Sequence, residues 1–311
     1  MLYFAFKDIP LNKFLQDVKN ANWFWIGMNI LFGMLAFVSR AIRWRISIEP
    51  LGYKPKDTNA FYALMVGYLA NMAFPRLGEI TRCSVLYKTD KIPVPKLLGS
   101  VIVERALDLI ILFSLMLFVF FYKIDFFGKF IYDKVFSPLL LSVQEKFGNA
   151  GVFYYILAGI IIITLITLYL LRNKLSRFAV VVKIKNLLTE VVEGLKVIYT
   201  MKKKSLYILH TFLIWFFYIL MTYSVFFAIP ETSGLTFADA IFVLVFGGIG
   251  MALPVQGGFG TYHAIVALSL TIYGISYESG LVFATISHEA QTILVLLVGG
   301  FSTLMVSLKK A

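Results

Sequence analysis

Uninterrupted apolar runs of bilayer-crossing length constrain this chain more than any other feature. The stretch GIIIITLITLYLL, residues 159–171, has no charge and no polar residue stronger than threonine. A helix that crosses the hydrocarbon core needs about 20 mostly apolar residues. Five segments meet or approach that length: Trp23–Arg40, Leu97–Tyr122, Phe153–Leu171, Leu206–Ile229 and Leu281–Leu308. Three shorter runs, Ala60–Phe74, Ala238–Leu253 and Tyr262–Tyr273, fall short of it. The runs are continuous, whereas barrel strands alternate apolar and polar positions, so helices are predicted. Only 15% of the residues are charged, against about 25% in soluble domains. The predicted fold class is an all-α polytopic membrane protein.

The net charge of +12 sits largely between the apolar runs. There it fits membrane orientation and lipid headgroups and offers no basic soluble module for nucleic acid. Arg40–Lys56 and Arg76–Lys96 are basic, Arg172–Lys204 is strongly so, and no Lys or Arg occurs from Pro230 to Leu308. Placing the basic segments inside puts the C-terminus on the cytoplasmic side. The crossing count stays open between five with two re-entrant segments and eight. The single cysteine, Cys83, excludes an internal disulfide and any multi-cysteine metal site. The polar start of the chain carries no short apolar segment with a small-residue cleavage site, so no cleaved signal is expected. The first span is then the insertion signal. Localisation in a bacterial cytoplasmic membrane is the expectation.

Two proline breaks suggest an internal repeat. With Pro75 placed on Pro254, AFYALMVGYLANMAFPRLGE lies over DAIFVLVFGGIGMALPVQGG, and Met72, Ala73 and Gly78 meet Met251, Ala252 and Gly257. Each half then reads as a long span, a short apolar run, a Pro-x-x-Gly break and a second long span. The expected organisation is one membrane domain: residues 1–172 as the first repeat with an extra span, 173–205 as a basic amphipathic connector, and 206–311 as the second repeat. The connector follows from the spacing of Val181, Ile184, Leu188, Val191, Leu195 and Ile198. Five spans with two re-entrant breaks make the repeats inverted. Transporters built this way bind substrate where the broken segments meet.

The candidate chemistry clusters around these breaks. Asn71, Arg76, Glu79 and Arg82 flank the first one; arginine suits a phosphate because its planar fork donates two parallel hydrogen bonds. An ordinary interfacial loop with an Arg–Glu pair explains the same residues. Glu104, Arg105 and Asp108 lie inside a span, where a charge costs about 2.5–3.5 kcal/mol on insertion scales. Glu104 and Asp108 are four apart and project to one side, toward a partner helix or toward substrate. Gly257 and Gly258 in PVQGGFGTYH offer backbone N–H groups to an anion. His288 and Glu289 occupy the corresponding place in the last span, where the inverted arrangement brings Glu104 and Glu289 toward the midplane. They serve there as helix glue or as a proton or substrate site. Arg40, Arg43 and Arg45 in SRAIRWR read as a basic flank with a tryptophan anchor, or as a contact for lipid phosphate. No Walker motif, no metalloprotease HExxH and no DxD pair is present, so no metal or other cofactor is expected.

The motifs RAIRWR, NMAFPRLGEITR, VIVERALD and PVQGGFGTYH resemble the signatures of the lysylphosphatidylglycerol synthase transmembrane, flippase-like family, typified by the multiple peptide resistance factor. The resemblance covers nearly the whole chain. It implies a membrane protein that moves or handles charged or isoprenoid-linked lipids, with Asn71, Pro75, Arg76, Gly78, Glu79, Arg82, Glu104, Arg105, Asp108, Gly257, Gly258 and Gly260 as signature residues. The chain ends at Ala311 with no soluble aminoacyl-transferase domain, so lysyl transfer is not expected. The sequence therefore predicts a translocase for anionic or isoprenoid-linked lipids, with headgroups in a central polar cavity. The alternatives are an intramembrane enzyme using Glu79 or Glu104 as base, and an accessory subunit for a separate cell-envelope enzyme. Lipid identity, coupling ion and oligomeric state stay open.

Overall fold

The computed structural model describes residues 11–125, 129, 132, 136–147, 151–175, 199, 201–253 and 255–309. Two sequence expectations fall outside them: the helix expected over 181–198, and Pro254. Among the described residues every regular element is helical. The helices are α1 Leu11–Asn20, α2 Trp23–Ile48, α3 Asp57–Ala73, α4 Leu77–Asp90, α5 Val94–Tyr122, α6 Ser137–Phe147, α7 Gly151–Leu175, α8 Lys204–Phe226, α9 Phe237–Ala252, α10 Thr261–Thr271 and α11 Tyr277–Leu308.

The chain divides into two compact units, Met1–Leu115 with Gly194–Ala311, and Met116–Glu193. The smaller holds α6 and α7, where Phe136 and Phe153 meet edge to face. Its Tyr155, Ile162, Ile163 and Tyr169 are exposed, as a lipid-facing helix requires. The larger unit contains every residue discussed below.

In the larger unit, α2 shows how a spanning helix is built. Ile26, Asn29, Gly33, Phe37, Arg40, Trp44 and Ile48 are buried at spacings of three and four, while Trp23, Phe24, Leu31, Leu35 and Val38 are exposed. That is one packed stripe and one oily outer face, the pattern of a helix whose solvent is lipid. Asn22 opens α2 by accepting the Phe24 N–H, and a turn through Pro50 and Gly52 (φ 88°) closes it. Buried Asn29 donates to the Met221 carbonyl of α8 at 3.0 Å. Gly33 lets Met221 and Leu294 close over α2. The helices α2, α8 and α11 thus form a packed group. Each is long and apolar enough to cross a bilayer.

The order long helix, helical hairpin, long helix occurs twice: α2, α3/α4, α5, and α8, α9/α10, α11. The hairpin limbs have 17, 14, 16 and 11 residues. At about 1.5 Å per residue none reaches the roughly 30 Å of a hydrocarbon core. Two expected loops are in fact helical. Arg40–Lys56 was expected between spans, yet α2 runs on through Arg45 to Ile48 because no breaker precedes Pro50. Most of Arg76–Lys96 forms α4, whose inner side buries Cys83 and Leu86 against Trp44, Ala60 and Ala63.

Candidate functional site: a cavity between two broken hairpins

The first hairpin turns within three residues. Phe74 leaves α3 in an extended conformation, and Arg76 takes a left-handed one (φ 66°) before α4 begins. Pro75 cannot continue α3, since it has no N–H to donate. The Asn71 side chain clips the turn by accepting the Gly78 N–H at 2.7 Å. The limbs then touch backbone to backbone: a Cβ on Gly67 would lie 2.8 Å from the Gly78 carbonyl oxygen.

The second hairpin turns through glycine. Gly257 and Gly258 hold φ of 55° and 74°, a region that L side chains avoid. Thr261 at the start of α10 donates to the Gly250 carbonyl at 3.0 Å, tying α10 back to α9. From α11, His288 Nε2 reaches the Gly257 carbonyl at 2.7 Å.

Between the two turns lies a cavity of about 450 Å³, within the range of about 300–1,000 Å³ usual for small-molecule sites. Its wall takes Asn71, Pro75, Arg76 and Glu79 from the first turn, and Val255, Gly257, Gly258 and Tyr262 from the second. Arg40 of α2, Arg105 of α5, Tyr218 of α8 and His288 of α11 also line it. Arg105 pairs with Glu79 at 2.9 Å. Arg76 has no ion-pair partner among the described residues. Three guanidinium groups therefore share the wall with one carboxylate. Tyr68 Oη, Trp215 Nε1 and Glu79 Oε2 are buried on this wall with no hydrogen-bond partner among the described residues. Buried polar atoms of this kind usually meet water or a ligand.

Behind the wall stands a closed ionic cluster. Arg40 contacts Glu104 at 2.9 Å and Asp108 at 3.1 Å; Arg43 contacts them at 3.4 and 2.8 Å. Arg82 of α4 reaches Glu104 at 3.2 Å and lies 4.6 Å over the Trp44 ring. Trp44 in turn donates to Ser100 at 3.0 Å. Glu104 is 1% exposed and Arg43 fully buried. Three arginines stand against two carboxylates, and Arg40, the member that reaches the cavity, pairs with both of them. Arg40 also donates to Tyr218 Oη at 2.9 Å.

The residues singled out in the sequence therefore separate. Asn71, Arg76, Glu79, Arg105, Gly257, Gly258 and His288 line the cavity, whereas Arg82, Glu104 and Asp108 lie in the cluster behind it. Glu289 is on neither; it stands beside His288 and His263. Glu104 and Glu289 do not converge on one spot, because α5 turns Glu104 onto the arginines of α2 and α4. Arg40 and Arg43 are no basic flank, and Trp44 is core, not an interfacial anchor. Their spacing of three, against a spacing of four for Glu104 and Asp108, is the signal that two helices could pair. His263 was also missed, since its partners lie 25 and 26 positions away in the chain.

His263, His288 and Glu289 bring one nitrogen or oxygen each within 4.8 Å of one another. His263 Nδ1 accepts the Gly260 N–H at 3.4 Å, which leaves the hydrogen of the neutral ring on Nε2, the atom facing Glu289.

Compared with known proteins, the chain matches the lysylphosphatidylglycerol synthase TM region over residues 1–299. It belongs to that family. This is a membrane domain of lipid-related proteins. Among curated proteins, a UPF0104 membrane protein of Methanocaldococcus jannaschii is 28% identical over 175 residues, covering 55% of this chain and 48% of that protein. The match thus spans about half the length of that relative. No solved structure matches the chain.

Proposed function

We propose that this chain translocates lipids with anionic headgroups, the headgroup passing through the cavity between the two turns while the acyl chains stay in the bilayer. One observation carries the reading: a cavity of headgroup size whose wall holds Arg105 paired with Glu79, Arg40 paired with the carboxylates behind it, and Arg76 with no ion-pair partner among the described residues. An excess of guanidinium inside a membrane is costly unless an anion visits it, and arginine matches phosphate geometry. Both α4 and α10 begin at the wall, so their N-terminal dipoles add to the positive field. The paired hairpins fit an inverted repeat that rocks about the site, in a cytoplasmic membrane with the C-terminus inside. No nucleotide-binding motif is present in the sequence, so the driving force is an ion or lipid gradient.

The test is reconstitution in liposomes with a fluorescent phosphatidylglycerol. Protein-dependent flipping is expected, with Arg76→Ala slowing it about tenfold, the effect of losing about 1.4 kcal/mol of binding. Flipping that is absent, or unchanged in Arg76→Ala, would falsify the reading. The unpartnered Oε2 of Glu79 favours one rival, an intramembrane enzyme with Glu79 as base. Turnover of labelled lipid by the purified protein, abolished in Glu79→Gln, would establish it instead.

A further inference from the structure

The last spanning helix brings two hydrogen-bond acceptors together with room for one proton. His288 Nε2 lies 2.7 Å from the Gly257 carbonyl. A carbonyl only accepts, so Nε2 carries a hydrogen and, in the neutral ring, Nδ1 keeps a lone pair. That Nδ1 is 3.2 Å from Glu289 Oε1, and an ionised carboxylate also only accepts. The contact is favourable once a proton lies between them, as imidazolium with carboxylate or as imidazole with carboxylic acid. Both descriptions are the same pair holding one extra proton. The Thr292 hydroxyl, at 3.5 Å from Nδ1, is too distant to replace it.

The surroundings suit such a site. His263 directs Nε2 toward the same Glu289 oxygen at 3.7 Å, and its Nδ1 accepts the Gly260 N–H. Phe259 and Tyr262 stand against the His288 ring at 4.9 and 5.2 Å between centroids. The elements packed on α11 contribute these titratable groups: His263 and Tyr262 of α10, Tyr68 of α3, Arg40 of α2 and Tyr218 of α8, all but His263 on the cavity wall. At its far end Glu278 pairs with Lys13 of α1. His288 is 4% exposed and lines the cavity, while the Glu289 side chain is 36% exposed. His288 meets the cavity, and Glu289 stands beside it, off the cavity wall.

We propose that His288 and Glu289 form a proton-binding pair, and that an anion in the cavity and a proton on the pair favour each other. The first part stands on the pair's own geometry; the second rests on the headgroup reading above. A proton on the pair adds one positive charge beside a cavity already rich in arginine, so anions bind more tightly to the loaded form. By linkage the proton binds more tightly once the anion is there.

The test uses the full chain in lipid nanodiscs. The protein has three histidines, so ¹⁵N-histidine labelling gives three side chains, assigned with His210→Asn, His263→Asn and His288→Asn. At pH 7, His288 is expected to show a hydrogen on, or shared at, Nδ1 as well as one on Nε2. In Glu289→Gln, whose amide can itself donate to Nδ1, it is expected to revert to the neutral Nε2–H form. A bare Nδ1 in the unsubstituted protein overturns the proton pair, and that reading needs no variant to fold. Calorimetry with dihexanoylphosphatidylglycerol, in two buffers of different ionisation heat, tests the linkage. Proton uptake on binding is expected, with affinity about tenfold higher at pH 6 than at pH 8, inside the 5- to 150-fold range of ordinary couplings. Binding without proton uptake overturns the linkage alone. No binding, with the shared proton seen by NMR, overturns the headgroup reading and leaves the proton pair standing.

Discussion

The two ionisable clusters of the larger unit differ in how completely their charges are answered. Around Glu104 and Asp108 every carboxylate has at least two guanidinium partners, and the side chains are buried except that of Asp108, which is 15% exposed. Around Glu289 one carboxylate leans on two histidines, and its side chain is one-third open. Both stand near the same cavity. A closed cluster fixes helices and sets a steady field, whereas an under-answered one can change its charge. The membrane makes this division sharp, because an unpaired ion there has no water to fall back on.

The largest expected effect tests that division directly. Glu104→Ala leaves Arg40 and Arg43 on Asp108 alone and strips buried Arg82 of its one carboxylate partner, and breaking a buried ion pair from one side costs about 3–5 kcal/mol. A thermal-unfolding scan in detergent should show the variant largely unfolded or strongly destabilised. Glu289→Gln should stay within about 1 kcal/mol of the parent in the same scan, as a site one-third open allows. Equal losses in the two variants would mean that Glu289 is as structural as Glu104.

The hairpins invite a second comparison, smaller in effect. A Cβ on Gly78 would run into the carbonyl oxygen of Gly67, and backbone cannot step aside, so Gly78→Ala should cost about 1–3 kcal/mol, the usual penalty of overpacking. On Gly258 the added carbon meets the Met251 sulfur, the pliable part of a flexible side chain. Gly258→Ala should therefore cost about 1 kcal/mol, most of it from the left-handed backbone. Adding Met251→Ala should not rescue Gly78→Ala but should relieve part of the Gly258→Ala loss. Melting temperatures of the four variants decide it.

How far the sequence could be read follows the same physics. Three of the five apolar runs read as spans lie in helices that are long and apolar enough to cross a bilayer among the described residues, and the two turns are legible because proline and glycine leave local marks. The cavity at those turns followed from them. The sequence misplaces Arg40 and Arg43 because a basic residue after an apolar run looks the same whether it meets headgroups or a carboxylate 64 positions later. Composition does not say where a helix stops: α2 was cut short at Arg40, and with it Trp44 was moved from the core to the interface. His263 sits in a quoted motif, PVQGGFGTYH, yet nothing nearby in the chain marks it, since its partners come from α11.

The smallest expected effect on stability separates two neighbours on one helix. Glu104 faces the closed cluster, and Arg105, one position on, faces the cavity, where its pair with Glu79 is 46% and 25% exposed on the two side chains. A pair that open contributes at most about 1 kcal/mol to stability, so Glu79→Gln should melt within that margin of the parent. Its effect on binding has a definite sign. Removing the cavity's one carboxylate frees Arg105 and raises the positive charge of the wall, so an anionic headgroup should bind more tightly, by about tenfold if one added charge contributes about 1.4 kcal/mol. A rival base role for Glu79 requires the opposite outcome, loss of turnover with affinity unchanged. Direct binding of dihexanoylphosphatidylglycerol to parent and Glu79→Gln protein thus tells a field-setting carboxylate from a reacting one, and weaker binding in the variant would show that Glu79 itself contacts the headgroup as an acceptor.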